Sequence, residues 1–327
     1  MKKRSNTKKL AFFFGVLILV PVFLISGFRI LEPTVSFPGE NQGEAIEKKT
    51  ITRNGVDYFP RQDITVLMIL GIDDAGSARD SGNDRNPGMA DLVALVIFDE
   101  KAQMYDVLYL NRDTMLDVPV PGMDGKQAGS SYGQLALAHS YGSGLEDSCE
   151  NTVKAVSDFL GGIRIDYYMS VPMDAIAMLN DAVGGVRVLV KDDFSEVDPT
   201  ITMGEMILRG DQAISFLRTR QGLGEQLNIS RIQRLEVYID GFMEAFRRAL
   251  DAKLGFAVNL FEQVDSYMVS NCPVSTLYSM ISHYEGYKLR EFVTPEGEND
   301  RGAECCEFYA DEEKLDELIL RLFYAPK

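Results

Sequence analysis

Arginine residues are concentrated in one short stretch of an otherwise acidic chain. The stretch SFLRTRQGLGEQLNISRIQR contains four of them, Arg218, Arg220, Arg231 and Arg234, whereas the whole chain has 49 acidic and 33 basic residues. Guanidinium groups match phosphate oxygens through paired hydrogen bonds. The spacing therefore indicates a local binding site for a small anion; a solvated helix face is the structural alternative.

Two aspartates and one more arginine adjoin predicted strands. Apolar runs rich in β-branched residues predict three consecutive strands, at 64–72, 92–98 and 104–110. The connection between the last two has only five residues, too short for a parallel crossover, and no helical pattern separates the first two. We therefore expect an antiparallel meander.

In an antiparallel meander, the end of the first strand, the start of the second and the end of the third lie at the same edge of the sheet. Asp73 follows the first strand, Asp91 precedes the second and Arg112 follows the third, so all three are expected at one edge. Carboxylates are ligands that Mg²⁺ prefers together with water and substrate phosphates. The trio therefore predicts a metal and phosphate site. Turn-forming aspartates and a surface pair of Arg112 with Asp113 are the alternative.

Two predicted helices carry the arginine-rich stretch. Asp211 is positioned to cap a short helix that ends at about Arg218. A long amphipathic helix follows, with Asn228 or Ser230 as its cap and Arg231 in its first turns. A helix start also offers free N–H groups to an anion.

The rest of the chain after residue 63 alternates between helix and strand patterns. We expect helices at 148–160, Pro172–Ala182, 255–267, 273–284 and 311–323, and strands at 165–171, 186–190, 287–293 and 306–309. This pattern predicts an α/β domain over residues 63–327, with a mixed, largely antiparallel central sheet flanked by helices.

The beginning of the chain predicts a membrane anchor. Residues 1–9 form a basic tail, and residues 10–28 contain no charge over a length that can cross a bilayer. Residues 29–62 read as a stalk, in which Asn54-Gly55 indicates a hairpin. The basic start predicts a single-pass protein of the cell membrane, with the N-terminus in the cytoplasm and the main domain outside.

Charge and cysteine content restrict the partners. Residues 1–30 carry six positive charges and no negative one, so the remaining residues have a net charge of −22. Such a domain is a poor match for nucleic acid. The four cysteines, Cys149, Cys272, Cys305 and Cys306, allow three complete disulfide pairings, among which the sequence does not choose. Two histidines and no C-x-x-C motif do not favour zinc.

Taken together, six stretches resemble the LytR-CpsA-Psr (LCP) family of bacterial cell-envelope proteins. They are LMILGID (67–73), MADLVALVIFDEKAQMYDVLYLNRDTMLDVP (89–119), LALAHSYG (135–142), IRIDYYMSVPMDAIAMLNDAVGGVRV (163–188), LRGDQAISFLRTR (208–220) and SRIQR (230–234). The resemblance implies an LCP-like fold between residues 60 and 325. It also implies a phosphotransferase that depends on Mg²⁺, with Mn²⁺ as a possible substitute.

The resemblance further implies substrates and site residues. The family transfers an anionic glycopolymer from an undecaprenyl-pyrophosphate carrier to peptidoglycan and leaves a phosphodiester bond. Carried over by motif, Asp73 and Asp91 would hold the metal. The catalytic and pyrophosphate-binding residues would be Arg112, Arg218, Arg220 and Arg231, with Asn228 beside them. The polyprenyl chain needs an apolar slot, for which the candidates are Tyr167, Tyr168, Met169, Val171, Ile176 and Leu179, although a plain core role is the alternative.

Three departures from the family pattern leave a second function open. Asn228 stands where the family has an aspartate that is a candidate base, Leu235 replaces a usual glutamine, and Gln134-Leu135-Ala136 replaces K-I-N. An amide cannot accept a proton from an acceptor hydroxyl. A non-catalytic protein that binds polyprenyl pyrophosphate or organises wall assembly is therefore the alternative. A transcription regulator, a third possibility, is opposed by the anchor and the acidic outer domain.

Overall fold

The structure is a computed structural model. It describes residues 50–73, 88–122, 127–172, 174–219, 227–252, 256, 259–260, 263, 267–284, 286–301 and 306–326. The predicted basic tail, the anchor at 10–28 and the first part of the stalk lie outside these residues, as does most of the helix predicted at 255–267. Within the described ranges, no helix has both the length and the apolar character needed to cross a membrane.

Fifteen strands and six α-helices are assigned in the described ranges. The strands are β1 (Ile51–Arg53), β2 (Val56–Pro60), β3 (Ile64–Asp73), β4 (Met89–Asp99), β5 (Met104–Leu110), β6 (Met115–Pro121), β7 (Gln127–Gln134), β8 (Tyr167–Pro172), β9 (Val186–Val190), β10 (Gly204–Leu208), β11 (Val269–Ser270), β12 (Lys288–Val293), β13 (Gly297–Arg301), β14 (Cys306–Ala310) and β15 (Tyr324–Pro326). The helices are α1 (Glu146–Phe159), α2 (Asp174–Ala182), α3 (Asp211–Arg218), α4 (Leu227–Ala252), α5 (Val274–Tyr284) and α6 (Glu312–Phe323), with a 3-10 helix at Leu135–Ser140.

The chain from Arg29 onward divides into two compact units. One unit, here called the sheet unit, comprises Arg29–Val171 and Val269–Lys327. Pro172–Met268 belong to the other, here called the inserted unit. The predicted metal residues fall in the sheet unit, and the arginine-rich stretch falls in the inserted unit.

A six-stranded sheet forms the centre of the sheet unit, in the order β11-β8-β3-β4-β5-β12. The pairs β3–β4, β4–β5 and β8–β11 are antiparallel, and β12 joins β5 in parallel. The predicted meander is confirmed, and so is the mixed, largely antiparallel α/β class. One face of β3 packs in the main core with side chains of α1 and α6, among them Val156, Leu318 and Leu322. On the other face, the ring of Phe98 stacks on that of Tyr284 in α5, with centroids 4.0 Å apart.

The hairpin predicted at Asn54-Gly55 is confirmed. Both residues have positive φ, 53° and 77°, as a two-residue turn between antiparallel strands requires. Strand β2 also pairs with β15 near the end of the chain. Residues 51–60, which the sequence placed in the stalk, are therefore part of a three-stranded sheet in the sheet unit.

The inserted unit combines α2, α3 and α4 with the antiparallel hairpin β9–β10. Helix α4 lies close to β9: a Cβ built at Gly241 would be 2.1 Å from the backbone oxygen of Arg187. Buried aromatic rings follow along the same helix, since Tyr238, Phe242 and Phe246 stack in succession at 6.2 and 6.1 Å. The absence of a side chain at Gly241 thus permits the helix to pack directly on the strand.

Three helix starts differ from the predicted ones. Pro172 is the last residue of β8, beyond the residues that pair with β11. Helix α2 begins at Asp174. Gly210, with φ of 48°, is the N-cap of α3, so Asp211 is its first residue instead of its cap. Helix α4 begins at Leu227, which places both Asn228 and Ser230 inside it.

Candidate functional site

Asp73, Asp91 and Arg112 lie at one end of the antiparallel meander, as predicted. Asp73 is the last residue of β3, and Arg112 follows the end of β5 by two residues. Asp91 is not in a loop before the strand, because β4 begins at Met89. The longer strand makes Asp91 a buried residue, only 5% exposed.

A β-bulge determines the position of Asp91. Gly71 pairs with Leu92 and Ile72 pairs with Ala90, so Asp91 is an extra residue in β4 with no partner position in β3. A bulge of this kind re-aims the side chain that it carries. Beyond the bulge, Asp73 pairs with Met89. Directly opposed residues have Cβ atoms about 5 Å apart, so Asp73 lies beside Met89 at this end of the sheet.

Arg112, two residues after β5, contacts the start of β4 at this end of the sheet. Its Nη1 donates to Oδ1 of Asp91, its Nη2 lies 3.6 Å from Sδ of Met89, and its Nε lies 3.6 Å from Oδ1 of Asp113. The side chains of Arg112 and Asp91 are 13% and 7% exposed. The principal partner of Arg112 is therefore the buried Asp91, and the contact with Asp113 that the alternative invoked is the longer one.

The turn that carries Arg112 is held by three neighbouring segments. The backbone N–H of Ala136 donates to the carbonyl of Arg112 at 3.0 Å, and that of Phe308 donates to the carbonyl of Asp113 at 2.9 Å. The side-chain amide of Gln134 donates to Oδ1 of Asp113 at 3.1 Å and to the carbonyl of Cys306 at 2.7 Å. Gln134, which the sequence showed only as a departure from the family pattern, thus helps to fix the site.

His139 is a supporting residue to which the sequence assigned no role. Its Nδ1 lies 2.9 Å from the carbonyl oxygen of Gly88, directly before β4, and its Nε2 lies 3.9 Å from Sγ of Cys149. Burial lowers the pKa of His139, against the carbonyl of Gly88 and the nearby Asp147, which raise it. A neutral imidazole therefore holds the start of the bulged strand. In the sequence, the only indication of this role was the apolar LALA that precedes His139, because an apolar run predicts a buried position.

Three of the predicted pyrophosphate-site residues in the inserted unit are described by their backbone alone. Arg218 is the last residue of α3, and Asn228 and Arg231 are the second and fifth residues of α4. Arg220 lies outside the described residues, as do the side chains of the other three. Their assignment to a pyrophosphate stays a prediction. Arg234, by contrast, is described and is 5% exposed.

The residues predicted to line an apolar slot are distributed over both units. Four lie on β8 in the sheet unit and two on α2 in the inserted unit: Tyr167, Tyr168, Met169 and Val171, then Ile176 and Leu179. Tyr168 is part of the main hydrophobic core of the sheet unit, which is the alternative role considered for it. The slot itself stays a prediction.

The donor set at the end of the meander fits a magnesium ion. No group of three or more His, Cys, Asp and Glu side chains within metal-binding reach occurs among the described residues. Mg²⁺ does not need such a cage, because one or two carboxylates plus water and substrate phosphates satisfy it. Asp73 and Asp91 supply two carboxylates, and the ion pair with Arg112 engages one oxygen of Asp91.

Three cysteines are free thiols, Cys149, Cys272 and Cys306, and Cys305 lies outside the described residues.

The chain is similar to known teichoic acid transferases. It is 26% identical over 231 residues to the polyisoprenyl-teichoic acid–peptidoglycan teichoic acid transferase TagU of Oceanobacillus iheyensis, covering 67% of this chain and 65% of that protein. It is also 26% identical over 194 residues to TagT of Bacillus subtilis, covering 56% of this chain and 54% of TagT. The chain thus spans between half and two thirds of the length of these two relatives.

Solved structures share the fold. The crystal structure of TagV from B. subtilis superposes with a TM-score of 0.56 at 22% identity, covering 80% of this chain and 96% of that one. A structure of TagT bound to LI-WTA superposes with a TM-score of 0.55 at 21% identity, covering 80% and 90%. The sequence features of the LytR_cpsA_psr family match residues 34–322. The chain therefore belongs to the LytR_cpsA_psr family.

Proposed function

We propose that this protein transfers an anionic glycopolymer from a polyprenyl-pyrophosphate carrier to peptidoglycan. The observation that carries the proposal is the set of Asp73, Asp91 and Arg112 at one end of the meander, because it combines metal-binding carboxylates with a phosphate-binding guanidinium. The relatives named as teichoic acid transferases support the same class of reaction. Which glycopolymer the protein carries is left open by this chemistry.

The reaction needs charge stabilisation more than covalent help. A hydroxyl oxygen of the acceptor forms a bond with the phosphorus that bears the polymer, the bond from that phosphorus to polyprenyl phosphate breaks, and the hydroxyl proton is released to water. Negative charge builds up on the departing phosphate. Arg112, held rigidly by Asp91 and by its backbone contacts, would bind phosphate oxygens in a fixed direction. A preorganised guanidinium of this kind is effective because it does not reorganise during the reaction.

A divalent cation is proposed for the two carboxylates. Asp73 and Asp91 would hold Mg²⁺, or Mn²⁺ in its place. When bound, the ion would neutralise charge on the pyrophosphate oxygens. Without it, these aspartates would repel the anionic substrate, so the proposal includes a requirement for the metal.

Further positive charge is proposed to come from the arginine-rich stretch. Arg218, Arg220 and Arg231 are proposed to bind the pyrophosphate, and the apolar residues of β8 and α2 to line the slot for the polyprenyl chain. Residues 10–28 would anchor the protein in the cell membrane, with residues 1–9 in the cytoplasm and the two compact units outside. This arrangement brings the enzyme to a lipid-linked substrate, and it leaves no role for nucleic acid.

The test measures the release of polyprenyl phosphate by the full chain from a polyprenyl-pyrophosphate-linked saccharide, with peptidoglycan as acceptor. We expect release that chelation of Mg²⁺ stops and that Arg218→Ala abolishes. Arg187→Ala is the matched control, because Arg187 is an exposed arginine of the same unit, 3.8 Å from Glu205. No release, in an assay that succeeds with a related enzyme, would refute the transferase.

A second candidate function rests on Asn228. If position 228 must accept the proton of the acceptor hydroxyl, the natural chain would bind the lipid-linked substrate without turning it over. Asn228→Asp would then create activity that the natural chain lacks, and binding would be unchanged. Substantial turnover by the natural chain would exclude this non-catalytic role.

A further inference from the structure

We propose that Arg234 is a positioning residue for the pyrophosphate-binding arginines of the inserted unit. It fixes the end of α3, which carries Arg218 and leads into Arg220, to the first turns of α4, which carry Arg231. The inference rests on the proposed function, because it concerns the same site. Arg234 differs from the pyrophosphate-binding arginines because it binds the protein backbone and not the substrate.

The guanidinium of Arg234 is buried and bonded in three directions. Its Nε donates to the carbonyl oxygen of Phe216 at 2.8 Å, and its Nη2 donates to the carbonyl oxygen of Thr219. Its Nη1 donates to Oδ2 of Asp192 at 2.8 Å, in the segment after β9. A side chain that is 5% exposed and committed to these partners does not reach a substrate. Its role is therefore within the protein.

The two carbonyls lie on either side of Arg218. Carbonyl groups in the last turn of a helix lack partners within the helix, and they need donors from elsewhere. Helix α3 ends at Arg218, and Thr219 is extended, with φ of −60° and ψ of 126°. The hydroxyl of Thr219 also donates to the carbonyl of Ser215 at 2.7 Å. Together these bonds define where the chain leaves the helix.

The shape of the guanidinium explains why an arginine is needed. Its N–H groups point outward in a rigid plane, so one side chain can bond two carbonyls and a carboxylate at once, whereas a lysine ammonium is a single point of charge. The plane is also supported by aromatic rings. Its Cζ lies 5.7 Å from the centre of the Phe194 ring, and that ring stacks on Phe216 at 5.7 Å.

The position of Arg234 in α4 links the two groups of arginines. It follows Arg231 by three residues, which is about one helical turn. The backbone that carries Arg231 is therefore rigidly connected to the guanidinium that holds the end of α3. Loss of the planar guanidinium would release the end of α3, which carries Arg218, from its connection to the backbone that carries Arg231, without removing either arginine.

The test compares Arg234→Lys with Phe242→Leu in the full chain. Phe242 is a buried core residue of the same helix, two turns further on, and its ring stacks on those of Tyr238 and Phe246. Inorganic pyrophosphate with Mg²⁺ is the probe, and its affinity is measured calorimetrically. Unfolding by urea is measured alongside, together with hydrogen exchange of the peptide 212–219. Arg218→Ala reports on the pyrophosphate site itself.

We expect Arg234→Lys to weaken pyrophosphate binding about tenfold, the scale of losing a residue that orients a ligand. Hydrogen exchange at the end of α3 should accelerate in the same variant. Phe242→Leu should lower stability but change the affinity by less than about twofold.

Three results would overturn the proposal in distinguishable ways. Unchanged binding by Arg234→Lys, while Arg218→Ala loses it, would refute the positioning role alone. An equal loss of pyrophosphate affinity in Phe242→Leu would show that Arg234 acts only through the overall stability of the protein. An absence of binding by the unmodified chain would refute the proposed pyrophosphate site, and the positioning role with it.

Discussion

Arg112 forms an ion pair with Asp91 at the point where a β-bulge interrupts the pairing of β3 with β4. The bulge and the ion pair together turn a strand residue into a fixed, buried carboxylate at the end of the sheet. The same carboxylate is proposed to bind a metal. The guanidinium and the proposed cation would therefore act on one negative charge, and this gives a test that does not depend on catalysis.

Arg112→Met should destabilise the fold, and Mg²⁺ should partly reverse the effect. Removal of one member of a buried ion pair costs about 3–5 kcal/mol, because the other charge is left in a poor solvent. A cation held by Asp73 and Asp91 would offset this cost in proportion to the logarithm of its concentration. Urea unfolding with and without Mg²⁺ measures both effects. The double variant Asp91→Asn/Arg112→Met is the control, and stabilisation of that variant by Mg²⁺ to the same extent would contradict the assigned ligands.

Arg290→Met should destabilise the sheet unit much more than Arg321→Met. Arg290 bonds the fully buried Asp106 through its Nε at 2.9 Å and also bonds Asp99 at 2.9 Å, so its removal leaves buried carboxylates with fewer partners. We expect a loss of about 3–5 kcal/mol in the free energy of unfolding. Arg321, about half exposed and paired with Glu291, should contribute at most about 1 kcal/mol. Equal losses from the two variants, measured by urea unfolding, would show that burial does not decide the difference.

His139 should make the protein less stable as the pH falls below the ordinary histidine range. Burial lowers its pKa from 6.5 in the folded state, so the unfolded chain binds the proton more readily there. The stabilisation that the neutral imidazole contributes is fully present above pH 6.5. It declines as the pH falls from 6.5 towards the lowered pKa. His139→Gln should remove this part of the pH dependence. The measurement is the difference between the two unfolding free energies from pH 7.5 down to about pH 5, above the range of ordinary carboxylates; a constant difference would contradict the prediction.

Gly241→Ala should destabilise the inserted unit, although alanine favours helices by about 1 kcal/mol over glycine. The new Cβ would lie 2.1 Å from the carbonyl oxygen of Arg187, which is backbone and moves only with β9. We expect a net loss of about 1–3 kcal/mol, the usual cost of overpacking. Gly286→Ala serves as the comparison, because nothing lies within 4 Å of the Cβ there. Thermal unfolding decides, and a higher midpoint for Gly241→Ala would mean that α4 can move away from β9 freely.

The amino-acid sequence determined the local elements and the chemistry of the site. Apolar runs with strand periodicity identified β3, β4 and β5, and a short connection dictated their antiparallel order. Asn54-Gly55 specified its own turn. Because these features depend only on residues that are close together in the sequence, the sequence pattern is sufficient to predict them. The motifs were sufficient to identify the family, whose features extend over residues 34–322.

Strands without an apolar pattern were not predictable. β7, with the sequence QAGSSYGQ, is mostly exposed and is held by pairing with β6. The pairing of predicted strands with distant segments was not predictable either: β2 pairs with β15 near the end of the chain, and β12 joins β5 across a long sequence separation. Such pairings satisfy backbone hydrogen bonds between distant segments, and no local periodicity records them.

Tertiary structure also decided the roles of individual charged residues. Along the chain, Arg234 looks equivalent to Arg231, three residues before it, yet the fold surrounds it with two carbonyls and a carboxylate. Asp91 looks like a loop residue, but a bulge buries it against Arg112. The physical reason is common to both cases. A residue type fixes which bonds a side chain can make, but only the packing of distant segments determines which partners come within reach and whether water is excluded.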